Sequence, residues 1–511
     1  MKVKSVSFDN KTYHFFKNDN DSDESENLFT ILVGRNGSGK SRIFQKICLL
    51  HLNSIINSTN NIFSFNSYNE STIYKSVNDK SSLNYGEINY KLGKNDFSIK
   101  ISKPNDLYDF SNRSLLFEKK SKTLNCNFFH EIKKIIAVST SPFDKFPIPS
   151  RNFHLHENNF LEEKYIYRGA KIKINSQKDY LKTKFDQLGS SLINFFLRAD
   201  KSKNKVSILL DTIGVDEKIS MYFAFPWPFD PSDIINKEHG KNISESLSSI
   251  RFFKEKTPKI NLSDAEEELL LKSLKLVMKY YDLKKHRNDN FSLDLNLFNV
   301  EELDNFDLLN SLSILANYDL IELVDIKFIK NKKYFHLTEA SSGELSLIFN
   351  LLSIAGEIEN ESLILIDEPE ISLHPEWQSN FIPLLHKMFS DYTGCHFIIA
   401  THSPQILSSI ANTKSFIINL ENDNKIIKGE EISEMSADYQ LAYVFKEPGY
   451  KNEYLTRIAL TTFTNVSKNK YFNSNDLISL DLLLENIKHM SLNDPLHQLI
   501  LSLEEMRNFY A

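Results

Sequence analysis

A glycine-rich octapeptide near the amino terminus constrains this chain more than any other stretch. Gly34–Ser41 reads Gly-Arg-Asn-Gly-Ser-Gly-Lys-Ser and lies between an apolar run that ends at Val33 and a helix-like apolar pattern. This order of strand, glycine-rich loop and helix is typical of loops that cradle phosphates. It predicts an α/β fold with a site for a nucleoside triphosphate.

The chemistry of the octapeptide assigns roles to its residues. Glycines let consecutive backbone N–H groups surround an anion, and the helix amino terminus adds its positive dipole end. Lys40 then reaches the β- and γ-phosphates, and the Ser41 hydroxyl ligates Mg²⁺. The residues expected to bind ATP are Gly34, Asn36, Gly37, Ser38, Gly39, Lys40, Ser41 and Arg42.

Length, charge and cysteine usage narrow the class of protein. A chain of 511 residues is long enough for two or three domains. Its net charge of −6 gives no general reason to expect a nucleic acid or a membrane as partner. Cys48, Cys126 and Cys395 are far apart, which excludes a disulfide framework and fits a reducing cytoplasm. Because no apolar run approaches the roughly 18 residues that span a bilayer, we expect a cytoplasmic protein with no membrane partner.

A second apolar run supplies the carboxylates that phosphate chemistry requires. The stretch from Ser362 to Ile366 is followed directly by Asp367, Glu368 and Pro369. In a protein with a phosphate-cradling loop, this order places Asp367 beside Mg²⁺ and Glu368 where it polarises the attacking water. A solvated acidic turn is the alternative, but the upstream loop argues against it.

Two further patterns follow the same logic. Ser341, Ser342 and Gly343 open an amphipathic helix, where hydroxyl and N–H groups converge on an anion or simply cap the helix. The apolar strand at 396–400 ends in Thr-His-Ser, so His402 is placed to hydrogen-bond a γ-phosphate or the attacking water.

The strand at 135–138 ends in a polar turn at residues 139–147 that two interpretations fit. Such turns often carry ligand-facing groups in α/β folds, so this one would sense the nucleotide or communicate with another subunit. It would otherwise be a proline-fixed turn anchored by Phe143 and Phe146. The lysine clusters at 201–205 and 284–287 leave a similar choice between nucleic-acid contact and a solvated surface.

The remaining patterns divide the chain into four parts. Residues 1–160 hold the first half of a nucleotide-binding cassette, with a hairpin at 4–16 and a meandering antiparallel sheet at 56–122. Residues 161–319 form a mainly helical insertion, with candidate helices at Ser190–Leu197, Ser263–Tyr281 and Val300–Leu315. Residues 320–429 hold the second half of the cassette. Residues 430–511 are a helical tail whose final apolar stripe packs on the chain itself or binds a partner.

The order of these motifs resembles the ABC-type ATPase cassette in the version found in the SMC, DNA-repair and OLD families, which are not transporters. The resemblance implies that two copies sandwich two ATP molecules, giving a homodimer or a higher even oligomer. It also implies that Ser341, Ser342, Gly343 and Glu344 contact the γ-phosphate of the partner copy. Ala340 and Ser342 depart from the usual Leu-Ser-Gly-Gly pattern. This superfamily also uses a glutamine to help bind Mg²⁺. The sequence shows no clear counterpart of it, and Gln187 is named only as a candidate.

The turn from Val138 to Phe146 is similar to one in bacterial anti-phage ATPases, namely the ATPase subunits of Septu systems that also accompany some retrons. That resemblance implies a separate HNH-type nuclease subunit as partner and leaves a nucleic acid, either DNA or the RNA/DNA of a retron, as a further one. ATP binding would then close a dimer as a switch on the nuclease. One alternative is an SMC-like ATPase that grips DNA itself. Another is an ATP-gated scaffold with little turnover, which an intact Glu368 disfavours.

Overall fold

The structure of the protein is a computed structural model. The structure does not describe the side chains of the lysine clusters at 201–205 and 284–287, so the choice between their two interpretations lies outside it. The structure describes residues 1–17, 25–62, 86–92, 95–101, 115–119, 122–123, 133–148, 164–169, 180–197, 203–216, 218–226, 229–235, 243, 262–284, 291–296, 303–318, 320–330, 332–410, 414–421, 425–433 and 435–510.

Strands and helices are numbered in chain order over these residues. The strands are β1 Lys2–Phe8, β2 Lys11–His14, β3 Leu28–Val33, β4 Gly86–Leu92, β5 Asn95–Ile101, β6 Leu115–Lys119, β7 Lys122–Thr123, β8 Ile135–Ser139, β9 Tyr165–Arg168, β10 Lys218–Ala224, β11 Phe291–Asn296, β12 Glu322–Lys330, β13 Lys333–His336, β14 Leu363–Asp367, β15 His396–Ala400, β16 Ser415–Asn419 and β17 Ile426–Lys428. The helices are α1 Lys40–Ile62, α2 Tyr180–Leu197, α3 Lys203–Ile213, α4 Pro231–Ile235, α5 Asp264–Lys284, α6 Leu303–Asn317, α7 Ser342–Glu357, α8 Pro375–Met388, α9 Pro404–Ser408, α10 Ala437–Tyr439, which continues as a π-helix over Gln440–Phe445, α11 Glu453–Asn469, α12 Ser474–Ile487 and α13 Pro495–Tyr510.

A seven-stranded sheet has the strand order β17-β16-β3-β15-β14-β8-β9. Strands β8, β14 and β15 are parallel and every residue in them is buried, as their almost continuous apolar sequences require. The register pairs Asp367 with Ala400 on one side and with Ser139 on the other. Three strands therefore end at the same level, and the polar residues that follow them meet at one edge.

A six-stranded antiparallel sheet has the order β2-β1-β4-β5-β6-β7. The predicted hairpin is present, and its turn residues Asp9 and Asn10 have φ angles of 50° and 61°. Two successive left-handed residues are typical of the turns that match the twist of paired strands. The predicted meander is correct for β4 to β7. The meander was predicted to begin at residue 56, but residues 56–62 belong to α1, which continues to Ile62 beyond the apolar pattern that predicted it.

The insertion is mainly helical in its described part and also carries a sheet. Strands β11, β10, β12 and β13 form an antiparallel sheet, with β10 paired to β12 from Ile219–Phe328 to Ala224–Glu322. The three candidate helices correspond to α2, α5 and α6, of which α2 begins ten residues earlier than expected. The predicted boundary at 319/320 falls inside this sheet, because the pattern of the sequence gives no sign of which strands pair. The four-part division stays a prediction.

The chain separates into two compact units. Unit 1 comprises residues 1–30, 41–374 and 384–400, and unit 2 comprises residues 31–40, 375–383 and 401–511. In unit 2, α11, α12 and α13 enclose an apolar cluster to which Leu496, Ile500 and Leu503 contribute. The stripe of the final helix thus packs on the chain itself, which is one of the two alternatives left by its sequence. No helix in the described ranges is long and apolar enough to cross a membrane.

A buried histidine in α1 makes the stability of the fold depend on pH. His51 lies edge-on against Tyr90, with 5.5 Å between the ring centroids, and burial lowers its pKa from 6.5 to about 4. Between these values the unfolded chain binds the extra proton, so the folded state loses stability as the pH falls from 6.5 towards 4. We expect the melting temperature of His51→Phe to fall less over this range than that of the native chain. The same change at the exposed His14 is the control, and parallel curves for His51→Phe and the native chain would contradict the assignment.

Candidate functional site

The glycine-rich loop of unit 2 has the backbone of a phosphate cradle. Gly37 and Gly39 have φ angles of 87° and 104°, a conformation that side chains disfavour, and no atom lies within 4 Å of where a Cβ would be. The Lys40 ammonium lies inside the loop, 2.7 Å from the Gly34 carbonyl oxygen and 3.2 Å from that of Arg35. Backbone and cation therefore converge in the way that an anion requires.

His402 adjoins the same lysine. Its Nδ1 lies 3.4 Å from Lys40 Nζ. Burial, helped by the charge of Lys40, lowers the pKa of His402 to about 4, so the ring is neutral near pH 7. An ammonium group only donates hydrogen bonds, so Nδ1 accepts and the proton of the ring lies on Nε2. His402 thus offers one neutral N–H donor, with its tautomer set by Lys40.

Arg35 joins the glycine-rich loop to the helical tail within unit 2. Its backbone N–H donates to Glu421 Oε1 at 2.6 Å. Its guanidinium forms an ion pair with Glu447, directly after the π-helix, and lies 3.3 Å from His489 Nδ1. The sequence analysis predicted the tail as a separate part. In the structure, residues of the tail contact Arg35, the second residue of the loop.

In unit 1, Ser41 meets the end of β14. The Ser41 hydroxyl hydrogen-bonds the Asp367 carboxyl group, which is buried. The pKa of Asp367 is raised to about 7, mainly by burial and in part by the carboxylates of Glu368, Asp144 and Glu370, while the hydrogen bond from Ser41 opposes the rise. Several carboxylates crowded around one buried carboxyl group favour a bound cation.

These residues fit Mg²⁺. Asp367 Oδ1 is buried without a hydrogen-bond partner, which suits an oxygen that coordinates a cation. The described residues contain no cluster of three or more His, Cys, Asp or Glu side chains able to hold a metal. Mg²⁺ at nucleotide sites uses one or two protein oxygens together with phosphates and waters, so Ser41 and Asp367 are the donor set expected.

Glu368 has an unusual backbone. Its φ is 51°, in the left-handed region, which costs a residue with a side chain roughly 1–2 kcal/mol. Its N–H donates to the Ala400 carbonyl at 2.9 Å, and its carbonyl accepts from Ile371 N–H at 3.3 Å. Strain held by surrounding bonds is common at functional residues.

The turn after β8 lies beside these carboxylates. The Thr140 hydroxyl donates to the Glu368 carbonyl at 3.3 Å. Asp144 is buried, and its carboxylate accepts from Tyr167 Oη at 2.7 Å and from Phe146 N–H at 3.0 Å. Phe143 is 87% exposed. Of the two predicted anchors only Phe146 is buried, and the turn lies beside the residues that end β14.

The Ser-Ser-Gly-Glu segment forms a helix cap. Ser341 and Glu344 make a reciprocal capping box, in which Ser341 Oγ donates to Glu344 Oε2 at 2.8 Å. The other carboxylate oxygen of Glu344 lies 2.7 Å from Lys330 Nζ. Ser341 and Ser342 are exposed, while Gly343 is buried. The expected phosphate contact of Glu344 stays a prediction, and its carboxylate is here committed to a cap and an ion pair.

Two further predicted residues are engaged elsewhere. The Arg42 guanidinium pairs with Asp9 at 2.6 Å and lies over the Phe8 ring, so its assignment to ATP stays a prediction. Gln187 lies on α2, which packs mainly against α7, α6 and β12. The assignment of Gln187 to Mg²⁺ stays a prediction.

Comparisons with known proteins bear on the class of the enzyme. Residues 223–408 match the family described as "AAA domain, putative AbiEii toxin, Type IV TA system". The "Retron Vc95 probable ATPase" of Vibrio cholerae serotype O1 biovar El Tor is 24% identical over 421 residues, which are 77% of this chain and 70% of that protein. The "Septu protein PtuA" of Bacillus thuringiensis is 26% identical over 200 residues, 36% of this chain and 44% of that protein. The chain is thus similar in sequence to a protein named as an ATPase, and its phosphate-binding loop and acidic strand end are those of a P-loop ATPase.

The ATPase is thus related in sequence to retron and Septu ATPases, as its motifs predicted. The family match spans the Ser-Ser-Gly-Glu helix, the Asp-Glu strand end and His402. The SMC head domain from Thermotoga maritima covers 84% of the ATPase and 99% of its own chain, at 11% identity and a TM-score of 0.30. A score this low does not establish a shared fold, so the assignment rests on the motifs, the strand order and the sequence relatives.

Sequence reasoning missed several residues of this ATPase. Thr140 and Asp144 belong to a turn that was singled out, but their contacts with the carboxylate strand depend on strand order. Arg35 was given no role, and Glu421 and Glu447 belong to no sequence motif. The one sequence signal that could have drawn attention to Arg35 is its positive charge within the glycine-rich loop.

The Arg35 contacts predict a measurable effect on the tail. Arg35→Ala removes the ion pair with Glu447, so we expect the π-helix at Gln440–Phe445 to exchange its amide hydrogens several-fold faster. The melting temperature should change little, since exposed ion pairs contribute at most about 1 kcal/mol. Hydrogen exchange read by mass spectrometry measures this, with exposed Arg457→Ala on α11 as the matched control. Equal exchange in the π-helix of both variants would show that Arg35 does not hold it.

Proposed function

We propose that this ATPase uses ATP binding and hydrolysis to close and reopen a dimer, and that the closure controls a partner nuclease in anti-phage defence. The observation that carries the catalytic part is the strand end in unit 1. There the Ser41 hydroxyl meets the buried Asp367, and the next residue, Glu368, is held in a strained backbone conformation.

Each residue has a distinct role in the proposal. Lys40 neutralises the β- and γ-phosphates. Ser41 and Asp367 hold Mg²⁺, which when bound screens the charge of the phosphates. Glu368 accepts the proton of the attacking water as general base. His402 donates its Nε2–H to the γ-phosphate.

Dimer closure would use the amino terminus of α7. Ser341 and Ser342 are exposed there, so their hydroxyls and the helix N–H groups are accessible to the nucleotide of a second copy. A ligand shifts a conformational equilibrium only by binding one state better than the other. A γ-phosphate bridging two copies has that property, because hydrolysis removes the bridging group.

The proposed nuclease partner rests on the relatives rather than on geometry. A Septu protein and a retron ATPase match this chain. The described residues offer no acidic or histidine cluster for a nuclease metal. We therefore propose a separate HNH-type subunit that cleaves nucleic acid, either DNA or the RNA/DNA of a retron, under control of the ATPase.

The first experiment measures the rate of ATP hydrolysis and the mass in solution of the Glu368→Gln variant. Loss of the general base should lower kcat by about 10²–10⁴-fold while ATP still binds. Size-exclusion chromatography with light scattering should then show an ATP- and Mg²⁺-dependent rise in mass. Glu505→Gln, an exposed change of the same kind on α13, is the control and should behave as the native chain. A mass indifferent to bound ATP would rule out dimer closure, and an unchanged kcat would rule out Glu368 as the base.

The partner is tested with the same trapped variant. We expect an HNH nuclease encoded beside this chain to co-purify with it and to change its cleavage of DNA by at least tenfold between the ATP-bound Glu368→Gln protein and the ATP-free one. A nuclease that cleaves equally in both states, or that does not bind, would refute the control mechanism without affecting the ATPase assignment.

A further inference from the structure

The backbone of Glu368 is fixed by three hydrogen bonds, one of which depends on a side chain. Two are the backbone bonds with Ala400 and Ile371 described above. The third comes from the Thr140 hydroxyl, which donates to the Glu368 carbonyl oxygen at 3.3 Å. A left-handed residue with a side chain persists only where its surroundings hold it. The Thr140 bond therefore contributes to the orientation of the Glu368 peptide.

The position of Thr140 follows from the sheet. It is the first residue after β8, and the parallel register pairs the last residue of that strand, Ser139, with Asp367. Thr140 therefore lies beside Glu368. Thr140 is only 5% exposed, which protects its bond from competition with water.

The turn that carries Thr140 is itself firmly anchored. Asp144 receives hydrogen bonds from Tyr167 on β9 and from the Phe146 backbone, and Ser139 Oγ accepts from Ser141 N–H at 3.1 Å. A side chain that positions another group must be held by its own neighbours. The turn meets that requirement.

The same peptide is linked to the helix that opens with Ser-Ser-Gly-Glu. Ile371, whose N–H donates to Glu368, accepts at its own carbonyl from the Ser346 hydroxyl of α7 at 3.2 Å. The contacts thus run from Thr140 through Glu368 and Ile371 to α7. The Glu368 backbone lies between the turn on one side and α7 on the other.

We propose that Thr140 is a positioning residue for ATP hydrolysis, whose hydroxyl holds the Glu368 backbone in the conformation that directs its carboxylate to the attacking water. This inference rests on the proposed role of Glu368 as general base. It concerns the chemical step and leaves ATP binding, which belongs to the glycine-rich loop, unaltered.

Substitutions at Thr140 separate positioning from packing. Thr140→Val keeps the branched shape and removes only the hydroxyl, and the Glu368 carbonyl retains its bond from Ile371, so the fold should persist. We expect kcat to fall about three- to tenfold, as the loss of one neutral hydrogen bond implies, with KM for ATP unchanged. Thr140→Ser should restore most of kcat. If the valine variant does not fold, Thr140→Ala compared with Thr140→Ser isolates the same hydroxyl.

A double variant shows whether the effect passes through Glu368. In the Glu368→Gln background the base is already absent, so adding Thr140→Val should change the residual rate by less than twofold. Thr461→Val, which removes a similar hydroxyl-to-carbonyl bond within α11, is the control for general effects of the substitution.

The outcomes distinguish this inference from the proposed function. A full-strength kcat in Thr140→Val, or an equal loss with and without Glu368, would overturn the positioning role. So would a loss of rate that Thr140→Ser does not restore. A Glu368→Gln protein that hydrolyses ATP at the native rate would instead overturn the general-base assignment, on which this inference depends.

Discussion

The parallel alignment of three buried strands is the constraint on which the position of the carboxylates at the end of β14 depends. Strands β8, β14 and β15 are apolar along their length, so their polar continuations emerge only where the strands end. The register brings Ser139, Asp367 and Ala400 to one level. Carboxylates meet at that edge because the core beneath them excludes charge.

The same burial sets the electrostatics. Asp367 is a carboxyl group nearly cut off from water, with other carboxylates close by, and its pKa rises to about 7. The arrangement is unfavourable without a compensating cation, and the Ser41 hydroxyl provides only one hydrogen bond. In unit 2, burial, helped by the charge of Lys40, lowers the pKa of His402 to about 4 and leaves its ring a neutral donor near pH 7.

The packing of the tail and the strand pairing in the insertion could not be predicted from the sequence. The apolar stripe of α13 was visible in the sequence, but whether it packs internally depended on α11 and α12 being present to receive it. Strands β10 and β12 lie about a hundred residues apart in the sequence and pair only in the fold. Local patterns carry no information on such partners, so the boundary drawn at 319/320 cut through a sheet.

The sequence by itself determined the identity of the chemistry: a glycine-rich loop with Lys40 and Ser41, an acidic strand end at Asp367 and Glu368, and a histidine after the next strand. These are local patterns, because phosphate binding by backbone N–H groups needs particular residues in consecutive positions. Only the tertiary structure decided that Thr140 bonds to Glu368, that Asp144 lies near Asp367 and that Arg35 joins the loop to the tail. Those contacts join residues far apart in the chain, and strand order and helix packing, rather than any local spacing, bring them together.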